Sequence, residues 1–136
     1  MKVTKDEIVD MVLENIKKNG RCLNNKGECK YYHFYYDYDK YGVIKNENTC
    51  AIGLFAKDPE KMENVYHLEN CVDIENRYGI NIDELLQEQY QGHKLAFWEK
   101  LQCLHDTDDY WFKDGITLND AGQSLLLDIR KLCEHV

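Results

Sequence analysis

Proline is nearly missing from this chain: Pro59 is the only one in 136 residues. A proline-rich linker or an extended, disordered recognition tract is thereby excluded. No apolar run approaches the length of a membrane-spanning helix, so no membrane association is expected. The opening residues, Met1-Lys2-Val3-Thr4-Lys5-Asp6-Glu7, lack the apolar stretch of a signal peptide, and the protein is expected to stay in the cytoplasm where it is made. Positive charge is also scarce. Seventeen Lys and Arg stand against 25 Asp and Glu, a net charge of −8. Cationic side chains supply most nucleic-acid affinity, so direct binding to nucleic acid is not expected. The six cysteines form no Cys-x-x-Cys pair, which argues against a zinc finger. Phosphate-binding glycine loops, Gly-x-Ser-x-Gly elbows and His-Glu-x-x-His motifs are absent as well. No cofactor and no metal site is expected.

What is present is the material of one folded unit. Hydrophobic residues make up 43% and charged residues 31%, ordinary values for a globular protein. The length suits a single domain over residues 1–136. The acidity either keeps the protein soluble or speeds its encounter with a basic partner. Widely spread cysteines, several inside apolar patterns, fit a reduced cytosolic protein.

Thr4-x-x-Glu7 reads as a capping box that opens a first helix, with Ile8, Met11, Val12 and Ile16 inward and Asn19-Gly20 at its end. The period then becomes extended. Cys22-Leu23 and residues 29–36 flank the turn-rich Asn24-Asn25-Lys26-Gly27 and predict a hairpin; 37–42 reads as a loop and 43–45 as a third short strand. Alternation places Tyr31, His33 and Tyr35 on one face and Tyr32, Phe34 and Tyr36 on the other. Asn48 or Thr49 is expected to cap a buried helix starting at Cys50, in which Gly53 signals close backbone packing. Asp58-Pro59 starts another helix. Cys71, Ile74 and Tyr78 fit a short helix ended by Gly79, and Asp83 is expected to cap one carrying Leu85, Leu86 and Tyr90. A helix over 93–105 has Leu95, Trp98, Leu101 and Leu104 inward, and the last has Leu118, Ala121, Leu125, Ile129 and Leu132 on one face. The class is α+β, mainly helical, with a small antiparallel sheet after the first helix.

Three constellations carry potential chemistry. Cys50 in a first helical turn would feel the positive end of a helix dipole, which favours thiolate. His105 would serve as its base and Asp106 as the residue orienting the imidazole, giving a Cys-His-Asp hydrolase. Against this, neighbours on a helix project about 100° apart, so Asp106 reaches His105 only if the helix has ended. Apolar neighbours around Cys50 favour a buried, inert thiol. Asp106, Asp108 and Asp109 lack the glycine and closing glutamate of a Ca²⁺ loop. His67 and Cys71, four apart, would share a helix face but find no second ligand pair.

Taken together, Gly27-x-Cys29-x-Tyr31, Cys50-Ala51-Ile52-Gly53 and Leu101-Gln102-x-x-His105-Asp106 before Trp111 resemble a family of small bacteriophage and prophage proteins. This chain departs from that pattern by a tyrosine-rich insertion between Tyr31 and Cys50. The resemblance implies a phage origin, and small acidic phage proteins are often inhibitors of host defence.

The expected function is therefore non-enzymatic: a protein that binds and inhibits a host protein, in the manner of an anti-defence or anti-CRISPR-like inhibitor. The partner would be a nucleic-acid-binding defence factor in the bacterial cytoplasm. Its binding residues are expected to be Tyr32, Phe34, Tyr35, Tyr36, Asp37, Tyr38 and Asp39, because tyrosine offers large contact area at low entropic cost. The alternatives are the Cys50-dependent hydrolase and a protein that sequesters a small ligand, stacking a nucleobase on the aromatic sheet. Oligomeric state is not readable from the chain.

Overall fold

The computed structural model describes residues 2–23, 28–40, 42–67 and 69–134. The expected turn at 24–27 lies outside the described residues, as do the side chains of Asp37, Asp39 and Cys133.

Helix α1 (Lys5–Asn19) starts where predicted, with Thr4 Oγ1 accepting the Glu7 N–H at 3.2 Å. Ile8, Val9, Val12 and Ile16 are its buried stripe, while Met11, expected inward, is 38% exposed. Gly20 stops the helix with φ +77° and donates its N–H to Ile16 O.

The sheet is not the hairpin expected across 24–27. Leu23 and Cys29 make only an isolated bridge. The hairpin instead joins β1 (Tyr32–Asp39) to β2 (Gly42–Thr49), antiparallel, pairing Tyr32 with Thr49 through to Asp39 with Gly42. The aromatic run and the polar run after it have the same length and pair residue for residue. The predicted loop at 37–42 is thus largely strand.

A second correction concerns the segment after β2. No helix starts at Cys50; the chain makes a turn and a single 3₁₀ turn, Gly53–Phe55. Cys50, Ala51, Ile52, Phe55 and Ala56 are all buried, so the apolar run was legible as core. Its brevity follows from the approach of another backbone: a Cβ at Gly53 would sit 2.1 Å from Tyr31 O.

Helix α2 (Pro59–Tyr66) is capped by Asp58, and α3 (Cys71–Tyr78) by Asn70, with Gly79 ending it at φ +65°. The helix expected after Asp83 is two 3₁₀ turns, Ile82–Leu85 and Glu88–Tyr90, capped by Asn81 rather than Asp83. In α4 (Leu95–Asp106) the buried residues are Phe97, Trp98, Leu101, Gln102, Leu104 and His105. Helix α5 (Asp120–Glu134) follows an Asn119 cap and turns Gly122 and Ile129 inward; Ala121 faces out. Gly122 is required there because a Cβ would meet Tyr110 O at 2.2 Å.

The result is one α+β unit with one contiguous buried cluster, to which α1, α4, the 50–56 turn and Trp111 contribute. The hairpin stands at its margin. No helix of the described residues is long and apolar enough to cross a membrane.

Candidate functional site

The motif residues scattered through the sequence come together. Cys29, Tyr31, Cys50, Gln102 and Asp106 line a cleft of about 190 Å³, with Lys30, Glu69 and Asn70 at its edge. Gly27 lies outside the described residues.

Cys50 points its sulfur at its own turn, where Sγ accepts N–H groups from Ile52 at 3.3 Å and Gly53 at 3.2 Å. The thiol replaces the Asn or Thr cap expected there. Burial pushes it well above the ordinary thiol range, and the charge of Asp106 adds to this, outweighing the two N–H donors. The expected dipole effect is missing because only a 3₁₀ turn follows. Cys50 is therefore a neutral, buried thiol rather than a nucleophile.

His105 is 1% exposed. Its Nδ1 lies 2.6 Å from Asp106 Oδ1, and its Nε2 accepts the Cys22 N–H at 3.3 Å. An acceptor at Nε2 places the ring proton on Nδ1, which donates to Asp106. Asp106 is expected to reach its neighbour only if the helix has ended, and that condition is met. Helix α4 ends at Asp106 and Thr107 turns to φ −96°, ψ 117°, so the carboxylate folds back on the ring. The dyad predicted from sequence exists, and no hydrogen bond joins it to Cys50 among the described residues. Nε2 holds the 21–23 segment to the end of α4, and Nδ1 is taken by Asp106 of the same helix.

Sequence reasoning missed the thiol that does lie beside this dyad. Cys29 Sγ donates to Asp106 O at 3.3 Å, and Cys29 Sγ, a His105 ring nitrogen and an Asp106 carboxylate oxygen lie within 4.8 Å of one another. Only the Gly-x-Cys-x-Tyr motif pointed at Cys29, and no spacing linked it to residues some 80 positions away. Burial, then Asp106, pushes this thiol up to about 12, so it is protonated at neutral pH. The S, N and O donors are those zinc favours. A metal on Nδ1 would move the ring proton to Nε2, against the Cys22 N–H, so the hydrogen bonds present oppose one. His67 and Cys71 do not meet as ligands either: His67 bonds Glu63 at 2.8 Å, and Cys71 is buried in the core.

The rest of the cleft is scaffolding. Tyr31 donates its N–H to buried Glu63 at 3.0 Å and its hydroxyl to Glu69 O. Gln102 donates Nε2 to the Tyr31 hydroxyl at 3.1 Å and accepts the Cys71 N–H at 2.9 Å. These bonds tie the loop before β1 to α2, α3 and α4, while Glu69 Oε2 is buried without a partner among the described residues.

The hairpin differs. Tyr32, Phe34 and Tyr36 form a ladder on one face, with centroids 5.9 and 5.8 Å apart, and Lys45 Nζ stands 4.7 Å over the Phe34 ring. Phe34 is 40%, Tyr36 48%, Tyr38 76% and Val43 59% exposed. On the opposite face His33 and Tyr35 stand 6.4 Å apart. Of the residues expected to bind, Tyr32, Phe34, Tyr36 and Tyr38 share one face by alternation, and Tyr35 lies on the other. No helix seals the ladder.

Among proteins of known family, curated annotation or solved structure, none matches this chain.

Proposed function

We propose that this is a non-enzymatic binding protein of the phage accessory type, which uses the Tyr32–Phe34–Tyr36–Tyr38 face of its hairpin to cover a basic surface of a host protein. A nucleic-acid-binding defence factor in the bacterial cytoplasm is the partner class that best fits. The observation that carries the reading is the aromatic ladder: Phe34, Tyr36, Tyr38 and Val43 exposed on one ribbon beside a half-buried Tyr32, in a chain of net charge −8. Contiguous apolar surface of this kind marks an interaction site, and aromatic residues dominate binding energy at such sites. A net negative charge favours encounter with a positively charged surface. The thiols near the His105–Asp106 dyad are protonated, and the imidazole is occupied on both sides, which supports a binding role over a hydrolytic one.

The test is affinity capture from a bacterial lysate, followed by titration of each purified captured protein. A specific partner binds the wild-type chain more weakly as salt rises, and binds the Phe34→Ala, Tyr36→Ala, Tyr38→Ala triple variant at least about tenfold more weakly. Unchanged affinity in the folded triple variant would sink the proposal.

A further inference from the structure

We propose that the outer edge of β1, from Phe34 to Tyr38, pairs with the same edge of a second copy of this chain, antiparallel and centred on Tyr36. The two hairpins then form one sheet. The proposal does not rest on the reading above, because strand pairing uses backbone groups at the edge and leaves the aromatic face open. The hairpin is a two-stranded sheet, so each strand has a partner on one side only. A two-stranded ribbon is marginal in water, and an unpaired edge is a template for another strand.

The register shows which groups face outward. Cys50 donates its N–H to Tyr31 O at 3.3 Å, one pair beyond the ladder of β1 and β2. Antiparallel pairs alternate between those that exchange N–H···O bonds and those that do not. The N–H and C=O groups of Tyr32, Phe34, Tyr36 and Tyr38 therefore point away from β2. Those of Val43, Lys45, Glu47 and Thr49 likewise point away from β1. The two edges differ. On β2, the outward carbonyl of Thr49 is taken by Asn15 at 3.2 Å and its N–H by Asn48 at 2.9 Å, and the ion pair of Lys45 with Glu47 lies farther along. On β1, the outward groups of Phe34, Tyr36 and Tyr38 have no hydrogen-bond partner among the described residues. Sheets prevent unwanted pairing with charged edge residues, prolines and bulges, and β1 has none of these at its outward positions.

A second copy is the occupant whose charges and side chains fit this edge. The acids of β1 are Asp37 and Asp39, both toward the hairpin tip. An in-register parallel match sets each acid against its own copy. An antiparallel match centred on Tyr36 sets Asp37 opposite Tyr35 and Asp39 opposite His33, while Phe34 meets Tyr38 and Tyr36 meets Tyr36. Aromatic cross-strand pairs stabilise a sheet, and like charges directly opposite destabilise it. Moving the centre to Asp37 sets acid against acid. Moving it toward Tyr32 brings the second copy up to α2, which packs on β1 and whose Glu63 holds Tyr31. The assembly closes at two copies, because a two-fold contact uses the β1 edge of both.

The experiment is sedimentation equilibrium of the full chain, with amide hydrogen exchange read residue by residue. A dimer that dissociates on dilution is expected. Each copy carries a net charge of −8, so pairing should tighten as salt rises, the opposite of the host-protein contact. In the dimer, exchange at the Phe34, Tyr36 and Tyr38 amides should slow by about tenfold or more, while Val43, Lys45 and Glu47 stay unchanged. Tyr36→Pro removes an outward N–H without touching the bonds to β2 and should abolish pairing. Tyr36→Lys and Tyr36→Glu each set like charges across the axis and should weaken pairing by about fivefold or more, and an equal mixture of the two should pair again. A chain that stays monomeric at every concentration and salt overturns the proposal. So do protection on the β2 edge instead, open-ended assembly, or a mixture of the two charged variants that pairs no better than either alone. Protection of the β1 edge that comes only with a captured host protein assigns the edge to that protein, and overturns this proposal while leaving the previous one standing.

Discussion

The backbone of Gly53 lies directly against the carbonyl of Tyr31, so close that a Cβ at position 53 would stand 2.1 Å from that oxygen. The contact joins the buried turn after β2 to the residue that enters β1. Gly53→Ala forces two backbone segments apart, with no flexible side chain to give way. A loss of about 3 kcal/mol is expected, at the upper end for overpacking. Urea unfolding should show a lower midpoint at an unchanged slope. A midpoint equal to wild type would mean the two backbones do not meet.

Gln102 bridges Tyr31 and Cys71 from inside α4. Gln102→Leu leaves the buried Cys71 N–H without an acceptor and removes one bond from the Tyr31 hydroxyl. The expected cost is about 2 kcal/mol. Tyr31→Phe should cost less, and the double variant should fall short of the sum, as residues in one network do. Strict additivity would show that the bridge does not form.

Thiol labelling distinguishes a buried cysteine from a reactive one. Cys103 is exposed, whereas Cys50 and Cys71 are buried. With iodoacetamide at pH 8, Cys103 should label in the native protein, while Cys50 and Cys71 should label only on unfolding. Rapid modification of Cys50 in the folded chain would revive the hydrolase reading.

Alkaline pH should destabilise the fold. Burial pushes the Cys22 and Cys71 thiols up to about 12 from an ordinary value of 9.0. Between those values the unfolded thiol has lost its proton and the native one keeps it. The native state therefore binds more protons, and stability falls as pH rises. It is fully present below about pH 9 and drops by about 1.4 kcal/mol per pH unit for each thiol above it. Denaturant unfolding at pH 8 and pH 10.5 measures this, and Cys71→Ala should flatten the dependence. A profile that is level over that interval would contradict the burial of both sulfurs.

The ladder should matter little to stability. Tyr36→Ala and Tyr38→Ala remove rings that are 48% and 76% exposed, so each should change unfolding free energy by about 0.5 kcal/mol or less. A large loss in either would place that ring in the packing and take it away from partner binding.

Much of the helical frame was legible from residues. Thr4, Asp58, Gly20 and Gly79 act locally, through caps and left-handed stops, and the structure uses all four as expected. Errors arose where two chemically similar residues competed for the core. Val9 is buried and Met11 half out, because the direction from which α5 packs on α1 is not written in the helix itself. Of the strands expected around 24–27, Leu23 and Cys29 make only an isolated bridge, whereas those expected at 29–36 and 43–45 overlap the paired β1 and β2. Strand pairing is decided by which partner matches in length and side-chain alternation over eight residues. At the candidate site, two of the three residues considered as a catalytic set, Cys50 and Asp106, line one cleft, while His105 is not among its lining residues and Cys29 and Gln102 are.

By itself, the chain determined its helix ends, its apolar segments and the alternation that puts Phe34 and Tyr36 on one face, because these follow from contacts within a few residues. Only the tertiary structure decided that His105 turns toward Cys22 and not Cys50, that Gly53 rests on Tyr31, and that the aromatic ribbon stays uncovered. Those outcomes depend on which distant backbones meet, and that is fixed by packing the whole core at once.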